Sequence, residues 1–253
     1  MKITFLGTGT SQGVPVIACK CKVCQSNSMN DKRLRTSIMI EEDGQTIVID
    51  SGPDFRQQML RENVQDIDAI IFTHEHKDHI AGLDDIRAFN FFNNKIIDIY
   101  AEERVHNALK KEFSYVFEED KYPGVPEICV HEISNQKFKV GSLEFLPIRL
   151  QHYFLPIFGY RIKDFTYITD ANYISNTEIE KIKGSKVVVL NALRRKKHIS
   201  HFTLDEALEL FNILKPEKAY ITHLSHQMGL HKNIENELPT NIFPAYDGLI
   251  VEL

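Results

Sequence analysis

Thr73-His74-Glu75-His76-Lys77-Asp78-His79 is the stretch on which the reading of this chain turns. Three histidines and an aspartate fall within six residues. Imidazole nitrogens and carboxylate oxygens are donors that zinc, manganese, iron and cobalt all accept. Donors at this spacing would scatter around an α-helix instead of lining one face. The pattern therefore predicts a loop, one that divides its donors between two neighbouring ions.

The same stretch follows an apolar run, Ala69-Ile70-Ile71-Phe72, and that arrangement recurs. Ile47-Val48-Ile49 leads to Asp50, positions 146–151 lead to His152, Tyr167-Ile168-Thr169 leads to Asp170, and Ala219-Tyr220-Ile221-Thr222 leads to His223. Sites in α/β proteins gather where loops leave the carboxyl ends of strands. Five strand endings that each carry a His or Asp predict one shared site. Further strand-like runs lie at 3–7, 37–41, 96–100, 158–163 and 186–190, and helix-like stretches at 55–62, 81–92, 102–113, 176–182 and 205–214. The last opens with Thr203-Leu204-Asp205-Glu206, a capping-box pattern, and stops before Pro216. Interleaved strands and helices predict an α/β layered fold.

With 253 residues, 43% of them hydrophobic, the chain can bury a sizeable core. A formal net charge of −5 supplies no global basic field, so nucleic acid is not the expected partner. No apolar run approaches the ~18 residues that a membrane span needs. Met1-Lys2-Ile3-Thr4-Phe5-Leu6-Gly7 opens directly into a strand without the apolar core of a secretion signal, which predicts a cytoplasmic protein.

Cys19-Lys20-Cys21-Lys22-Val23-Cys24 crowds three thiols together, a pattern that in a reducing compartment reads as metal binding. A closed structural zinc site takes four ligands. Cys129 stands alone and reads as a small buried hydrophobe; His226, three residues after His223, is the better candidate for a fourth ligand, although by itself it reads as a surface or core histidine. The loop at 7–13 is rich in glycine but lacks the Gly-Lys-Ser/Thr of a phosphate loop, and is expected to turn tightly beneath the metals. His106, His131 and His231 read as ordinary surface or core histidines.

The segment 73–79, with Asp50 in Ile49-Asp50-Ser51-Gly52 and with His152, Asp170 and His223 in that order, resembles the metallo-β-lactamase superfamily from Gly7 to the C-terminus. The resemblance implies an αββα four-layer sandwich, two mixed β-sheets flanked by helices, formed by one domain over 1–253. It assigns His74, His76 and His152 to a first ion, Asp78, His79 and His223 to a second, Asp170 to both, and Asp50 to orienting the ligands. Two divalent ions against Asp78, Asp170 and one hydroxide leave about one positive charge, which favours an anionic substrate. His201, in Ser200-His201-Phe202-Thr203, resembles the histidine that phosphodiesterases of this superfamily place near the scissile phosphate; His198 is its rival. His201 and Asp78 are the expected catalytic residues. Arg194-Arg195-Lys196-Lys197 is either a solvated face or the receiver of a second phosphate.

The Cys-x-Cys-x-x-Cys pattern paired with His223-Leu224-Ser225-His226-Gln227 is similar to the PhnP group of cyclic phosphodiesterases, as are Glu237-Leu238-Pro239 and Tyr246-Asp247-Gly248. That similarity implies a structural zinc on Cys19, Cys21, Cys24 and His226, in a loop around 19–24. It also implies two active-site ions, zinc or manganese, and a small phosphodiester substrate of cyclic ribosyl or nucleotide type; a homodimer fits. The rivals are a transfer-RNA 3′-processing nuclease, for which no long Gly/Lys-rich arm is present, a thioesterase or lactonase, and a non-catalytic metal-binding module.

Overall fold

The computed structural model describes residues 1–253. The first half lays down β1 (Lys2–Gly7), β2 (Ser37–Glu42), β3 (Gln45–Ile49), α1 (Phe55–Arg61), β4 (Ala69–Ile71), α2 (Lys77–Ile80), α3 (Arg87–Asn93), β5 (Ile97–Ala101), α4 (Glu103–Glu112) and β6 (Ile128–Glu132). The second half adds β7 (Phe138–Val140), β8 (Leu143–His152), β9 (Leu155–Ile162), β10 (Phe165–Tyr167), β11 (Tyr173–Ile174), α5 (Asn176–Ile182), β12 (Val187–Asn191), α6 (Leu204–Leu214), β13 (Lys218–Thr222), α7 (His231–Glu237), β14 (Ile242–Pro244) and β15 (Ile250–Glu252).

One sheet runs β15-β1-β2-β3-β4-β5-β6; the other runs β11-β8-β9-β10-β12-β13-β14, with β7 beside β8. Both are mixed. Strands β3 to β6 are parallel while β15, β1, β2 and β3 pair antiparallel. Strands β10, β12, β13 and β14 are parallel, and β8 and β9 form a long antiparallel hairpin.

Side-chain alternation explains the layering. Ile47, Ile49, Ala69 and Ile71 join Phe158, Tyr160, Val187 and Val189 in the core between the sheets. Their strand neighbours Val48 and Ile70 face the opposite way, into a core with Phe55, Phe89, Val105 and Leu109 from α1, α3 and α4. Val188, Leu190, Ala219 and Ile221 face α5, α6 and α7 in a third core. The order of layers is therefore helix, sheet, sheet, helix, as expected. Strand β12, Val-Val-Val-Leu-Asn, is buried at every position because helices cover one face and a sheet the other.

Several local expectations need correction. Positions 77–80 form one helical turn, not loop: the amides of His79 and Ile80 both donate to the His76 carbonyl. The 81–92 stretch divides into a 3-10 turn, Leu83–Ile86, and α3. Strands β6, β7, β11, β14 and β15 and helix α7 were not legible, being short or at sheet edges with mixed exposure. Cys129 is exposed on the edge strand β6, not buried.

Candidate metal centre

The five predicted strand endings meet at one edge of the sandwich. His74, His76 and His152 bring one donor atom each within 4.8 Å of one another, and Asp78, His79, Asp170 and His223 do the same. The two groups adjoin: the His74 ring centroid lies 4.1 Å from that of His79 and 5.6 Å from that of His152.

Backbone geometry at the strand ends aims these side chains. Asp50, Asp170 and His223 all have positive φ, at 65°, 61° and 56°. A non-glycine residue pays roughly 1 kcal/mol or more for that conformation, and such residues concentrate at functional sites. The helical turn α2 does the same for its two donors: consecutive residues point about 100° apart, so Asp78 and His79 both reach the second group while His74 and His76 stay with the first. Gly52 and Gly82 allow the close packing beneath. A Cβ at Gly52 would meet the Asp78 carbonyl at 2.0 Å, and one at Gly82 would meet the Gly52 carbonyl at 2.0 Å.

Asp50 is fully buried and meets the cluster through the outer nitrogen of His79. Its Oδ1 accepts from the Thr73 amide at 2.8 Å; its Oδ2 accepts from the Thr73 hydroxyl at 2.8 Å and lies 2.7 Å from His79 Nδ1. If Nε2, which faces Asp78 and Asp170, binds a metal, that contact keeps the remaining His79 proton on Nδ1. His152 is set likewise: its Nδ1 donates to the carbonyls of Asp170 and Ser200, at 2.6 and 2.9 Å. Asn191 brackets Ala171 with two hydrogen bonds and so holds the turn bearing Asp170. Thr73, Ser200 and Asn191 carry no sequence signal for these roles, since each is an ordinary polar residue until the fold brings its partner near.

The charge balance in the cluster is one-sided. Burial disfavours the carboxylates of Asp78 and Asp170, yet adjacent His79 and His223 hold both well below the usual carboxylate range. Burial likewise opposes charge on His79, but Asp78, Asp170 and Asp50 outweigh it and raise its pKa well above normal. Burial and then His79 push His74 down, and burial and then His152 push His76 down. Three largely buried carboxylates, Asp50, Asp78 and Asp170, thus share one small space with the imidazoles of His79 and His223. Lysine and arginine do not help: Lys77 pairs with Glu112, and Arg104 with Glu75. Buried charge of that kind calls for a cation.

The donor geometry fits one. His79 Nε2 lies 3.3 Å from Asp78 and 3.2 Å from Asp170, and His223 Nε2 lies 3.1 Å from Asp170. None of these contacts has hydrogen-bond alignment, and His74 Nε2, His79 Nε2 and His223 Nε2 are all buried without a partner. Donor atoms that surround a common point without aiming at each other are what a metal ligand set looks like.

His201 is buried beside this cluster. Its ring stacks on His223 at 4.8 Å, and its unpartnered Nδ1 lies 3.7 Å from Asp170. Burial, and then His223, lower its pKa to about 2. His198 sits farther out, its ring 5.1 Å from that of His201. Helix α6 closes its own first turn with the expected Thr203–Glu206 capping box. In the upstream basic run, Arg194 bonds Gln227 and two carbonyls of its own turn, while Arg195 bonds Glu237 and the Met228 carbonyl.

A second centre forms where the cysteine loop meets the segment after β13. Cys19, Cys21 and Cys24 place Sγ 3.2, 3.4 and 3.6 Å from His226 Nδ1. Tetrahedral zinc on thiolate and imidazole separates sulfur from nitrogen by roughly 3.5 Å, given its bond lengths. Cys129 lies elsewhere, grouped with Asp98 and His131. The 7–13 loop packs alongside, where Thr8 and Thr10 exchange backbone hydrogen bonds with Leu224, next to His223.

Fold and site together define a class: αββα sandwiches with a histidine- and aspartate-rich centre at one edge of the paired sheets. The chain belongs to the metallo-β-lactamase superfamily, since the model of the beta-lactamase superfamily domain matches residues 45–224. The chain is 40% identical over 252 residues to a Porphyromonas gingivalis protein named octanoyltransferase; the match covers 98% of this chain and 51% of that one. The chain thus spans about half the length of that curated relative. Among solved structures, a diphosphatase from the PhnP family is 38% identical with a TM-score of 0.93, over 100% of this chain and 97% of that one. The short form of human tRNase Z shares the fold, with a TM-score of 0.73 at 18% identity over 100% and 99% of the two chains.

Proposed function

We propose that the chain is a metal-dependent phosphodiesterase acting on a small phosphodiester of cyclic ribosyl or nucleotide type. The observation that carries this reading is the convergence of seven His and Asp donors in two adjoining groups, with unpartnered buried His201 beside them. Likeness to a PhnP-family diphosphatase across the whole chain supports the phosphorus chemistry.

In this reading His74, His76 and His152 hold one ion, Asp78, His79 and His223 hold another, and Asp170 serves both; each is zinc or manganese. Divalent ions held there acidify water and neutralise charge on the phosphate oxygens. The chain's own residues do the rest. Asp50 fixes the ring of His79, and the carbonyls of Asp170 and Ser200 fix that of His152. His201 faces the same space and, as a neutral imidazole, hydrogen-bonds the leaving ester oxygen. Cys19, Cys21, Cys24 and His226 hold a structural zinc, which ties the N-terminal loop to the segment bearing His223. Both sheets supply ligands around one shared core, so residues 1–253 act as one domain.

The test is a substrate panel with metal analysis of the purified protein: linear and cyclic phosphodiesters, a diphosphate-linked diester, and an acyl thioester. The thioester is included because of the name of the Porphyromonas relative. Turnover of the cyclic phosphodiester above the others supports the reading; turnover of the thioester alone overturns it.

A further inference from the structure

The β8–β9 hairpin ends next to the metal centre in an unusual turn. His152 pairs with Leu155, so Tyr153 and Phe154 are the whole loop. Two-residue hairpin loops favour Asn-Gly or similar pairs, because they require positive φ. Here Tyr153 takes φ 57°, and the two rings lie 3.9 Å apart between centroids. Asp43 and Lys163, at φ 50° and 51°, hold the same place in the β2–β3 and β9–β10 hairpins, so what sets this turn apart is its pair of aromatic rings. Phe154 is 79% exposed and Ile199, across the gap, 63%. Asn172 locks the arrangement: it accepts from the Tyr153 amide at 2.7 Å and donates to the Ile199 carbonyl at 3.2 Å. Between them lies a cavity of about 470 Å³ lined by His76, His152, Tyr153, Phe154, Ile199 and their neighbours, with no charged side chain apart from the two histidines.

We propose that Tyr153 and Phe154 are a stacking platform for a planar heteroaromatic ring attached to the scissile phosphate, so that the substrate class is a nucleotide ester instead of a bare sugar phosphate. The inference rests on the phosphodiesterase reading and narrows it. Exposed aromatic surface carries a cost, and at this turn it is not offset by core packing. The cavity offers two aromatic faces, tilted 49° to each other, beside His76 and His152, where a base linked through a ribose to the reacting phosphorus would lie. It offers no cation for a second phosphate; the guanidinium groups of Arg194 and Arg195 are bonded elsewhere. Sequence-tolerant stacking of bases on such rings is a general mode of recognition.

The experiment compares two esters with the same leaving group, thymidine 5′-(p-nitrophenyl phosphate) and methyl p-nitrophenyl phosphate. Phe154→Ala is expected to lower the ratio of their kcat/KM values about tenfold, mostly through the KM of the thymidine ester, which is the low end for one lost base stack. An equal fall for both esters, or no change in the ratio, overturns the proposal. So does an equal preference for hexyl p-nitrophenyl phosphate, which would make the patch a plain apolar subsite. A binding test stands apart from turnover. The chain has no tryptophan, so Phe154→Trp supplies a single indole reporter. Adenosine 5′-monophosphate is expected to quench it and ribose 5-phosphate is not; equal response to both overturns the platform. If the wild-type protein cleaves neither of these esters nor a 2′,3′-cyclic nucleotide, the phosphodiesterase reading fails, and the quenching still decides the platform.

Discussion

Asp50→Asn probes how the centre is organised without removing a proposed ligand. The Asp50 carboxylate receives the Thr73 amide, the Thr73 hydroxyl and His79 Nδ1, at 2.8, 2.8 and 2.7 Å, in a fully buried pocket. An asparagine must place its NH₂ against one of these donors. Facing the Thr73 amide, it leaves two N–H groups opposed. Facing His79, it either opposes the Nδ1 proton or drives that proton to Nε2, the atom needed for a metal. A buried donor left unsatisfied costs about 1–3 kcal/mol. That range agrees with the 10- to 100-fold loss of metal affinity, about, on removing a residue that orients a ligand. Competition for zinc with a chromophoric chelator reads this directly. The variant is expected to stay folded, bind one active-site ion about 10- to 100-fold more weakly, and recover turnover as metal is raised. Wild-type affinity in the variant would refute the argument that Asp50 sets the His79 tautomer, and so would a turnover deficit that excess metal cannot relieve.

Other substitutions separate the remaining roles. His201→Ala is expected to lower kcat by about 10²- to 10⁴-fold while metal content stays at the wild-type value, because in the proposed reading His201 acts on the leaving oxygen; a loss of metal in this variant would make it a ligand. Cys21→Ser is expected to remove one zinc equivalent and to lower Tm and activity together. Each kcal/mol lost lowers Tm by roughly 2–4 °C in a chain of this size, so differential scanning calorimetry with metal analysis gives the size of the contribution; unchanged zinc content would contradict the Cys19, Cys21, Cys24, His226 site.

Much of the centre was readable because each donor follows an apolar strand run. Ile47-Val48-Ile49 and Ala69-Ile70-Ile71 are buried on both faces, so the first polar residue after each emerges at a sheet edge. The sequence could not show that Lys77–Ile80 closes a helical turn, because what holds it is tertiary: His79 against Asp50 and His223, and the Asp78 carbonyl against Gly52. Edge strands escaped for a related reason: β6 has no fully buried residue, so it lacks a clean alternation, and Cys129 looks core-like in sequence while standing in solvent. Asp50 was legible as a partner of the centre, whereas Thr73, Asn191 and Ser200 were not. Their contributions come from a backbone amide, a bracketing amide side chain and a carbonyl, and only the tertiary structure points these at the ligands.

The central claim is that two ions, held beyond the cysteine-bound zinc, are needed for phosphodiester cleavage. Chelated protein titrated with zinc or manganese against a 2′,3′-cyclic nucleotide tests it most directly. The account predicts no turnover after chelation, and a rise that levels off at two equivalents per chain above those on the cysteine site. Turnover that survives chelation, or that is complete at one added equivalent, would contradict it.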